Sequence, residues 1–349
     1  MALSAQDPHL SFYCEQHDHI SQLTRRFILR FFYEDRSVEM RELPKNTLYL
    51  KRTPFPHLQK DDFKIGASLT LLGGILKLTA YCNEVTRELC SEGGEFTVVM
   101  FGETMLPSVG HYLAILTEEC GFTILDIQMV WAVEEEANKY EVPEELIGGR
   151  VVVVKCASAE AILKAREYMS RAKGSWAAES QEKARKWEEF MQGAKQQPVA
   201  IFEDLESSVV IIKPHVIQKR GGGVVIQQLV DAGLEITALS LVNLSSRVVN
   251  EFMEPYKGVL PDFAETARAL VGAVWVLQLI SLDEKVDIVS LVREVCGPFD
   301  PVIAKELRPN SIRARFGIDR PHNAVHCCDL PGEGIIYTNL FFKRQDVEE

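Results

Sequence analysis

The chain lacks several features that would assign it to a class at once. Its eight cysteines form no CxxC pair, so their spacing suggests neither a zinc site nor a disulfide framework, and we expect reduced thiols. No run of about 18 apolar residues is present, which argues against a membrane helix. Positive charge is also in deficit, since the formal net charge is -12, and this balance argues against nonspecific binding of nucleic acid.

The start of the chain lacks a targeting signal as well. Residues 1–19 do not show the charged-then-apolar pattern of a secretory signal, so we expect a cytoplasmic protein with no membrane partner. With 349 residues and 46% hydrophobic content, the chain is long enough for two or three packed domains.

Residues 25–89 have an all-β pattern. Short runs rich in Phe, Tyr, Leu, Val and Thr alternate with turn-forming stretches at a spacing of roughly ten residues. This pattern predicts a small barrel-like or sandwich module as the first domain, residues 1–90.

The rest of the chain contains an internal duplication. The order strand, helix, strand, strand, helix begins near residue 96 and again near residue 207, and GFTILDIQMVWAV is followed 112 positions later by the similar GLEITALSLVNL. This order predicts two ferredoxin-like βαββαβ domains, a first copy at 96–205 and a second copy at 207–343. The expected fold class is therefore α+β. Because two copies in one chain can pair with each other, we expect a monomer.

Residues 309–329 of the second copy concentrate the polar chemistry. They read PNSIRARFGIDRPHNAVHCCD, with Gly and Pro residues that interrupt helices and strands, so we expect an ordered loop. Upstream, Lys213 ends an apolar strand. A lysine at a strand end, with arginines and His326 on a return loop, suits a polyphosphate, whereas His326 alone would be interpreted as a core histidine.

These phrases resemble the signature of the nucleoside diphosphate kinase family. The similar phrases are Ile212-Lys213-Pro214-His215, Pro309-Asn310-Ser311-Ile312-Arg313 and Asn323-Ala324-Val325-His326. The resemblance implies phosphoryl transfer from ATP to a nucleoside diphosphate, with His326 as the nucleophile. A protein nucleophile separates two binding events at one site, and a neutral imidazole can both accept and release a phosphoryl group.

The resemblance also implies roles for other polar residues. Lys213, Arg293 and Arg313 compensate the charge of the phosphates, and Asn323 contacts the ribose and phosphate region. Family members use a Mg2+ ion carried by the nucleotide, so we expect no dedicated metal ligands.

Two assignments stay open at this stage. Glu333 either orients His326 or is a solvated turn glutamate. Phe263 stacks on the nucleotide base only if it aligns with the aromatic residue that stacks on the base in family members.

Some positions depart from the family pattern. Met253 stands where the family has a tyrosine near the nucleophile, so we expect a hydroxyl to be missing there. Phe299 stands in place of a phosphate-contacting threonine, His215 in place of an aspartate, and Cys327-Cys328 in place of Gly-Ser. Because loss of one stabilising donor costs about 10- to 1000-fold in rate, we expect low activity.

The first copy lacks these groups. Gly102-Glu103 stands in place of Lys213-Pro214, and residues 174–198 replace the loop with a polar stretch that we interpret as an exposed helix. Trp176 and Trp187 on this stretch are expected to be core or interface anchors. The first copy is therefore expected to be a degenerate domain with a packing role.

Two other features of the duplicated region are interpreted as structural and not as functional. His111 has no sequence partner that would make it a ligand or a base, so we interpret it as a core residue. The run Gly221-Gly222-Gly223 lacks a Gly-Lys-Ser/Thr ending and is interpreted as a turn between strand and helix, not as a phosphate loop.

The first module is similar to the DM-ten module of ciliary and flagellar proteins. The similarity lies in Phe32-Tyr33, Ser37-Val38-Glu39-Met40, Leu50-Lys51-Arg52-Thr53, Ile65-Gly66 and Tyr81. Given this similarity, the basic pair Lys51-Arg52 is either a phosphate or tubulin contact or a solvated strand edge. With the two copies, it resembles the ciliary type of nucleoside diphosphate kinase. This implies a cytoskeletal location on the axoneme, with tubulin, doublet microtubules and other axonemal proteins as partners beside ATP and nucleoside diphosphates. An enzyme and a structural protein whose kinase folds serve only as scaffolds both remain open.

Overall fold

The computed structural model describes residues 9–17, 24–33, 35–58, 62–63, 67–71, 74–90, 94–194, 199–200, 206–281, 283 and 285–342. Within it the chain divides into two compact units. One contains the described residues of 7–95 together with 157–160, and the other contains the described residues of 96–156 and 161–342. In the described part of the chain no helix is long and apolar enough to cross a membrane.

The strands of the described residues fall into two sheets. They are β1 His9–His17, β2 Thr24–Phe32, β3 Ser37–Leu43, β4 Thr47–Pro54, β5 Ser68–Leu71, β6 Gly74–Tyr81, β7 Gly94–Phe101, β8 Thr123–Trp131, β9 Arg150–Ala159, β10 Ser175–Ala177, β11 Ser207–Ile212, β12 Leu234–Leu244, β13 Gly272–Ser281 and β14 Val325–Cys327.

The α-helices of the same residues lie mostly in the second unit. They are α1 Glu84–Cys90, α2 Val109–Ala114, α3 Glu134–Lys139, α4 Ala161–Arg171, α5 Gln181–Ala194, α6 Pro214–Gln218, α7 Gly222–Asp231, α8 Ser246–Phe252, α9 Phe263–Arg268, α10 Ile288–Cys296, α11 Pro301–Leu307, α12 Ile312–Phe316 and α13 Glu333–Phe342.

The N-terminal unit is an antiparallel sheet in the order β4-β3-β2-β1-β6-β5. Alternate residues of β2, namely Phe27, Leu29 and Phe31, are fully buried, as expected for a strand with one face on a core. The Phe31 ring stacks on Phe63 at 4.0 Å between centroids. The strands agree with the all-β interpretation, but α1 is an added helix. It is tied to β1 by a hydrogen bond from the Ser11 backbone N–H to Thr86 Oγ1.

Arg52 of the predicted phosphate or tubulin contact lies on the edge strand β4. Its guanidinium pairs with Asp35 and lies 4.0 Å from the centroid of the Phe32 ring. These contacts favour the strand-edge interpretation of the basic pair. Ile65-Gly66, part of the DM-ten similarity, lies outside the described residues.

The second unit is built on a sheet in the order β10-β7-β9-β8-β12-β13-β11-β14. The strands of the first copy occupy one half and those of the second copy occupy the other half in mirrored order. The halves meet where Ser240 of β12 pairs with Gln128 of β8. Each copy has four strands, with helices after the first and third strands and shorter helices between the second and third, α3 in the first copy and α8 and α9 in the second. The matching strand arrangement of the two halves agrees with the duplication read from the sequence.

The two copies also pack against each other through α2 and α7. A Cβ atom added to Gly223 would lie 2.5 Å from the backbone N of Ala114, and one added to Gly110 would lie 2.3 Å from the backbone N of Gln227. Only glycine allows the two helices to approach this closely. The Gly221–Gly223 run therefore serves helix packing as well as the turn predicted for it.

Two expectations for the first copy need correction. His111 is exposed, not a core residue, although its backbone N–H donates to Gln227 Oε1 across the α2 and α7 contact. The stretch expected to be one exposed helix does not form one over residues 174–194, because Ser175–Ala177 adds to the sheet beside β7 before α5 begins. Residues 195–198 of that stretch lie outside the described residues. Trp187 of α5 is 3% exposed, as expected for a core anchor.

Candidate functional site

The predicted loop at residues 309–329 contains two short regular elements. Ser311 caps α12, since its hydroxyl accepts a hydrogen bond from the Ala314 backbone N–H. Val325–Cys327 forms β14 because β11 offers an unpaired edge, on which Ile211 pairs with His326. The expectation of a loop throughout is therefore corrected, and the elements fix Arg313 and His326 in place.

A strained turn connects this stretch to the end of β11. Ala324 has φ of +77°, and the Val325 backbone N–H donates to the Asn323 carbonyl at 3.0 Å. This is the pattern of a three-residue γ-turn of the rare kind, which costs free energy in a non-glycine residue. The Ala324 carbonyl in turn accepts from the Lys213 backbone N–H at 3.0 Å, so the turn is held against the end of β11.

His326 is enclosed by aromatic rings. It is 7% exposed, and its ring centroid lies 5.1 Å from that of Phe252, 5.5 Å from Tyr256 and 5.8 Å from Tyr337. Burial, followed by the positive charges of Lys213 and Arg313, lowers the pKa of His326 to about 3. The imidazole is therefore neutral at physiological pH, which is the state in which a ring nitrogen can act as a nucleophile.

Arg313 is anchored by backbone carbonyls beside His326. Its Nη1 donates to the Gly297 carbonyl at 2.7 Å and its Nη2 to the Val325 carbonyl at 3.2 Å, while its buried Nε meets no acceptor in the part of the chain that the structure describes. Gly297 has φ of +82°, and a Cβ there would lie 2.2 Å from Ser311 Oγ. Glycine at position 297 thus allows α10 to end at a point where the Gly297 carbonyl can accept from Arg313.

A cavity of about 500 Å³ opens beside these residues. It brings together His326, Arg313 and Arg293 of the predicted site and adds Arg308. The lining consists of Met253, Tyr256, Leu260, Ser290, Arg293, Glu294, Gly297, Pro298, Phe299, Arg308, Arg313, His326, Cys327 and Asp329. Its volume falls within the range of small-ligand pockets in proteins.

Two of the three arginines in the cavity wall, Arg293 and Arg308, lie next to carboxylates. Arg293 Nε lies 3.8 Å from Asp329 Oδ1 and its Nη1 donates to the Asp329 carbonyl, while Arg308 pairs with Glu294. All four side chains are about half exposed, so these pairs contribute little stability and can exchange for an anionic ligand. Arg308 was missed in the sequence, although its place directly before Pro309 of the Arg313 phrase offered a signal.

Lys213 and Asn323 lie outside the lining of the cavity. Lys213 is 1% exposed, and its Nζ donates to the Pro321 carbonyl at 2.6 Å. Burial, with the nearby Arg313 charge, lowers the pKa of Lys213 to about 7. Asn323 is fully buried and donates through Nδ2 to the Phe299 carbonyl at 3.0 Å. In this structure both residues hold the loop together.

Contacts in the structure bear on the two open assignments, Phe263 and Glu333. Phe263 is the first residue of α9 and packs against the hydrophobic cluster that contains Val249 and Leu270, so its ring is not part of the cavity wall. Glu333 accepts the backbone N–H groups of Asp329 and Leu330 through Oε2 at 2.7 and 3.2 Å. Glu333 thus stabilises the start of α13, and its contacts favour the turn interpretation over the orienting one.

The hydroxyl expected to be missing at Met253 is supplied from elsewhere. Tyr256, also on the cavity wall, donates from Oη to Asp329 Oδ2 at 2.9 Å and lies 3.3 Å from Tyr337 Oη. Tyr337 Oη lies 3.4 Å from His326 Nε2. Neither tyrosine was identified in the sequence, because their approach depends on how α13 and the segment after α8 pack around β14.

The first copy has different groups at the corresponding positions. Trp176 of β10 pairs with Met100, the residue before the end of β7, as His326 of β14 pairs with Ile211, the residue before the end of β11. Gly102 follows β7 as Lys213 follows β11. The first copy therefore presents an indole in place of the imidazole and has no amine at the strand end.

Sequence comparisons with known proteins agree with the resemblance found in the second copy. The family model described as nucleoside diphosphate kinase matches residues 206–347. Nucleoside diphosphate kinase of Aquifex aeolicus is 31% identical over 127 residues, 36% of this chain and 87% of that protein. Nucleoside diphosphate kinase homolog 7 of Rattus norvegicus is 28% identical over 382 residues, 99% of this chain and 96% of that protein. A crystal structure of the Aquifex aeolicus nucleoside diphosphate kinase covers 41% of this chain and 97% of its own, with 30% identity and a TM-score of 0.36.

Proposed function

Because the chain belongs to the nucleoside diphosphate kinase family, we propose that its second copy transfers a phosphoryl group from ATP to nucleoside diphosphates through a phosphohistidine on His326. The observation that carries this proposal is a neutral, enclosed imidazole on the wall of a cavity that three arginines also line. A neutral nucleophile beside fixed positive charge is the combination that phosphoryl transfer requires.

The reaction follows from the side chains on the cavity wall. A lone pair of the imidazole forms a bond to the γ-phosphorus of ATP, the bond from that phosphorus to the β–γ bridging oxygen breaks, and ADP leaves with the electron pair. A nucleoside diphosphate then binds in the same cavity and its terminal oxygen takes the phosphoryl group, which restores His326. Arg313 and Arg293 offset the charge on the phosphate oxygens, and Arg308 is available for the same role.

Lys213 and Asn323 act in this proposal as supports of the loop. A phosphate contact by Lys213, as predicted from the family resemblance, requires its amine to leave the Pro321 carbonyl to which it now donates. Family kinases use Mg2+, and the carboxylates in the cavity wall, Asp329 and Glu294, each face an arginine. We therefore expect the ion to enter on the phosphates of the nucleotide, where it would help to offset their charge.

Labelling with ATP tests the proposal directly. Purified full-length protein incubated with γ-labelled ATP should acquire acid-labile, base-stable label, which the addition of a nucleoside diphosphate removes. His326→Asn should acquire none. His111→Asn, which changes an exposed histidine in the first copy, serves as the matched control and should label like the wild type. An unlabelled wild type, or label on His326→Asn equal to that of the wild type, contradicts the proposal.

We also propose that residues 1–90 form a DM-ten module, that residues 96–205 are a degenerate kinase-like domain, and that the protein resides on the axoneme with tubulin and doublet microtubules as partners. The order of modules and the near full-length similarity to nucleoside diphosphate kinase homolog 7 support this combination. Trp176 in the first copy, at the place of a nucleophile, supports a scaffolding role for at least that copy.

Localisation tests the second proposal. Tagged wild-type protein and tagged His326→Asn should both accumulate along the flagellum and co-sediment with isolated doublet microtubules, because the scaffold does not need the nucleophile. A diffuse cytoplasmic signal in a flagellated cell, with no co-sedimentation, counts against an axonemal role and leaves the enzymatic proposal untouched.

A further inference from the structure

A line of polar contacts leads away from His326 on the side of its Nε2 atom. Tyr337 Oη lies 3.4 Å from that nitrogen, Tyr256 Oη lies 3.3 Å from Tyr337 Oη, and Tyr256 Oη donates to Asp329 Oδ2 at 2.9 Å. Tyr337 is 6% exposed, so bulk water does not compete for its hydroxyl. At the far end, the Arg293 guanidinium lies 3.8 Å from Asp329 Oδ1.

The direction of the hydrogen bonds along this line follows from its last member. A carboxylate accepts only, so the Tyr256 proton points to Asp329. The Tyr256 oxygen can then only accept from Tyr337, which uses the Tyr337 proton. The Tyr337 oxygen is left as an acceptor, and the group facing it is His326 Nε2. A neutral imidazole that satisfies this acceptor carries its proton on Nε2 and leaves Nδ1 with a free lone pair.

From this geometry we propose that Tyr337 and Tyr256 are positioning residues that fix the tautomer and orientation of His326, with Asp329 as the terminal acceptor. This inference rests on the proposed function for its catalytic consequence. A tyrosine hydroxyl thereby takes the orienting role that the family resemblance implies for the carboxylate of Glu333. Partners of this kind set the protonated nitrogen of a histidine and hold its ring in place.

The consequence for phosphoryl transfer is specific. Nδ1 forms the bond to the γ-phosphorus while the bond to the ADP oxygen breaks, and the Nε2 proton stays on the ring. The positive charge that develops on the ring then strengthens the hydrogen bond from Nε2–H to the Tyr337 oxygen. Removing that oxygen should slow the chemical step more than it weakens ATP binding, because Tyr337 does not line the cavity.

Two readouts on full-length protein test the proposal. With ¹⁵N-labelled histidine, the resonances of His326, assigned from their absence in His326→Asn, should report a single Nε2–H tautomer in the wild type and a mixture in Tyr337→Phe. The rate of phosphohistidine formation in Tyr337→Phe should fall by about 10- to 100-fold, with little change in the KM for ATP. Tyr256→Phe should show a smaller fall, and Tyr112→Phe in the first copy should match the wild type.

The two proposals fail in different ways. A wild-type spectrum with the proton on Nδ1, or a Tyr337→Phe variant with the wild-type tautomer and the wild-type rate, overturns the positioning role. A tautomer change in Tyr337→Phe, in a protein that takes no label from ATP, upholds the positioning role and removes the proposed function.

Discussion

Trp176 in the first copy occupies the register position that His326 occupies in the second. Each pairs with the residue before the end of the first strand of its copy, Met100 in one case and Ile211 in the other. The Trp176 ring also lies against Gly102, where an added Cβ would be 3.8 Å from it. Two copies of one arrangement therefore carry different groups at the same place, and only one of these groups can act as a nucleophile.

A histidine placed at position 176 should not create a second site. Trp176→His in a His326→Asn background should take no label from γ-labelled ATP, because the first copy has no counterpart of the loop that carries Arg313 and because its Glu103 is paired with Arg150 at 2.8 Å. The label is measured after a quench at high pH, which preserves phosphohistidine. Labelling of this double variant would show that the first copy retains a phosphate site.

Gly297→Ala should disrupt the anchoring of Arg313. The new Cβ would overlap Ser311 Oγ, and the alanine backbone would have to keep the positive φ of the glycine. We therefore expect a loss of about 2 to 4 kcal/mol in the free energy of unfolding and a large fall in labelling. Gly258→Ala is the matched control, because Gly258 has φ of +83° with nothing within 4 Å of the added Cβ. It should lose only about 1 kcal/mol and keep its label. Denaturant unfolding and labelling measure both variants, and equal losses would contradict the role given to Gly297.

Gly223→Ala should weaken the packing between the two copies. The added Cβ would lie 2.5 Å from a backbone nitrogen of α2, which cannot rotate away, so we expect a loss of about 1 to 3 kcal/mol. Gly193→Ala in α5 meets its nearest atom at 3.8 Å and should instead gain up to about 1 kcal/mol from helix propensity. Thermal unfolding compares the two variants, and a neutral Gly223→Ala would contradict the close approach of the helices.

Lys213→Met should alter how stability depends on pH. The pKa of Lys213 is about 7 in the folded protein and 10.5 in the unfolded chain. Between these two pH values the unfolded chain binds more protons than the folded protein, so stability rises with pH. Wild-type protein should therefore gain stability relative to Lys213→Met on going from pH 7 to pH 9, by on the order of 2 kcal/mol. Denaturant midpoints at both pH values, taken as a difference between the proteins, measure this gain. A constant difference would mean that the amine is charged in the fold.

Local patterns were sufficient to locate most elements of the second copy. The second copy was predicted to begin near residue 207, and its first strand β11 begins at Ser207; Lys213, predicted at a strand end, directly follows Ile212, the last residue of that strand. Strand β10 was missed because a strand of three residues has no readable period and exists only through its pairing with β7. The expectation of a core position for His111 was wrong. A histidine without a functional partner in the sequence was expected to be buried, but α2 places the His111 ring at the surface.

The sequence by itself determined the α+β class and the duplication. It also showed that His326 and Arg313 lie in short sequence motifs shared with a kinase family. These follow from spacing along the chain, which is a local property. Only the tertiary structure decided that Arg308 joins the cavity wall, that Lys213 and Asn323 hold the loop, and that Tyr337, not Glu333, meets the imidazole. Those contacts depend on where α13 starts and how it packs on β11 and β14, since one helical turn separates the two side chains.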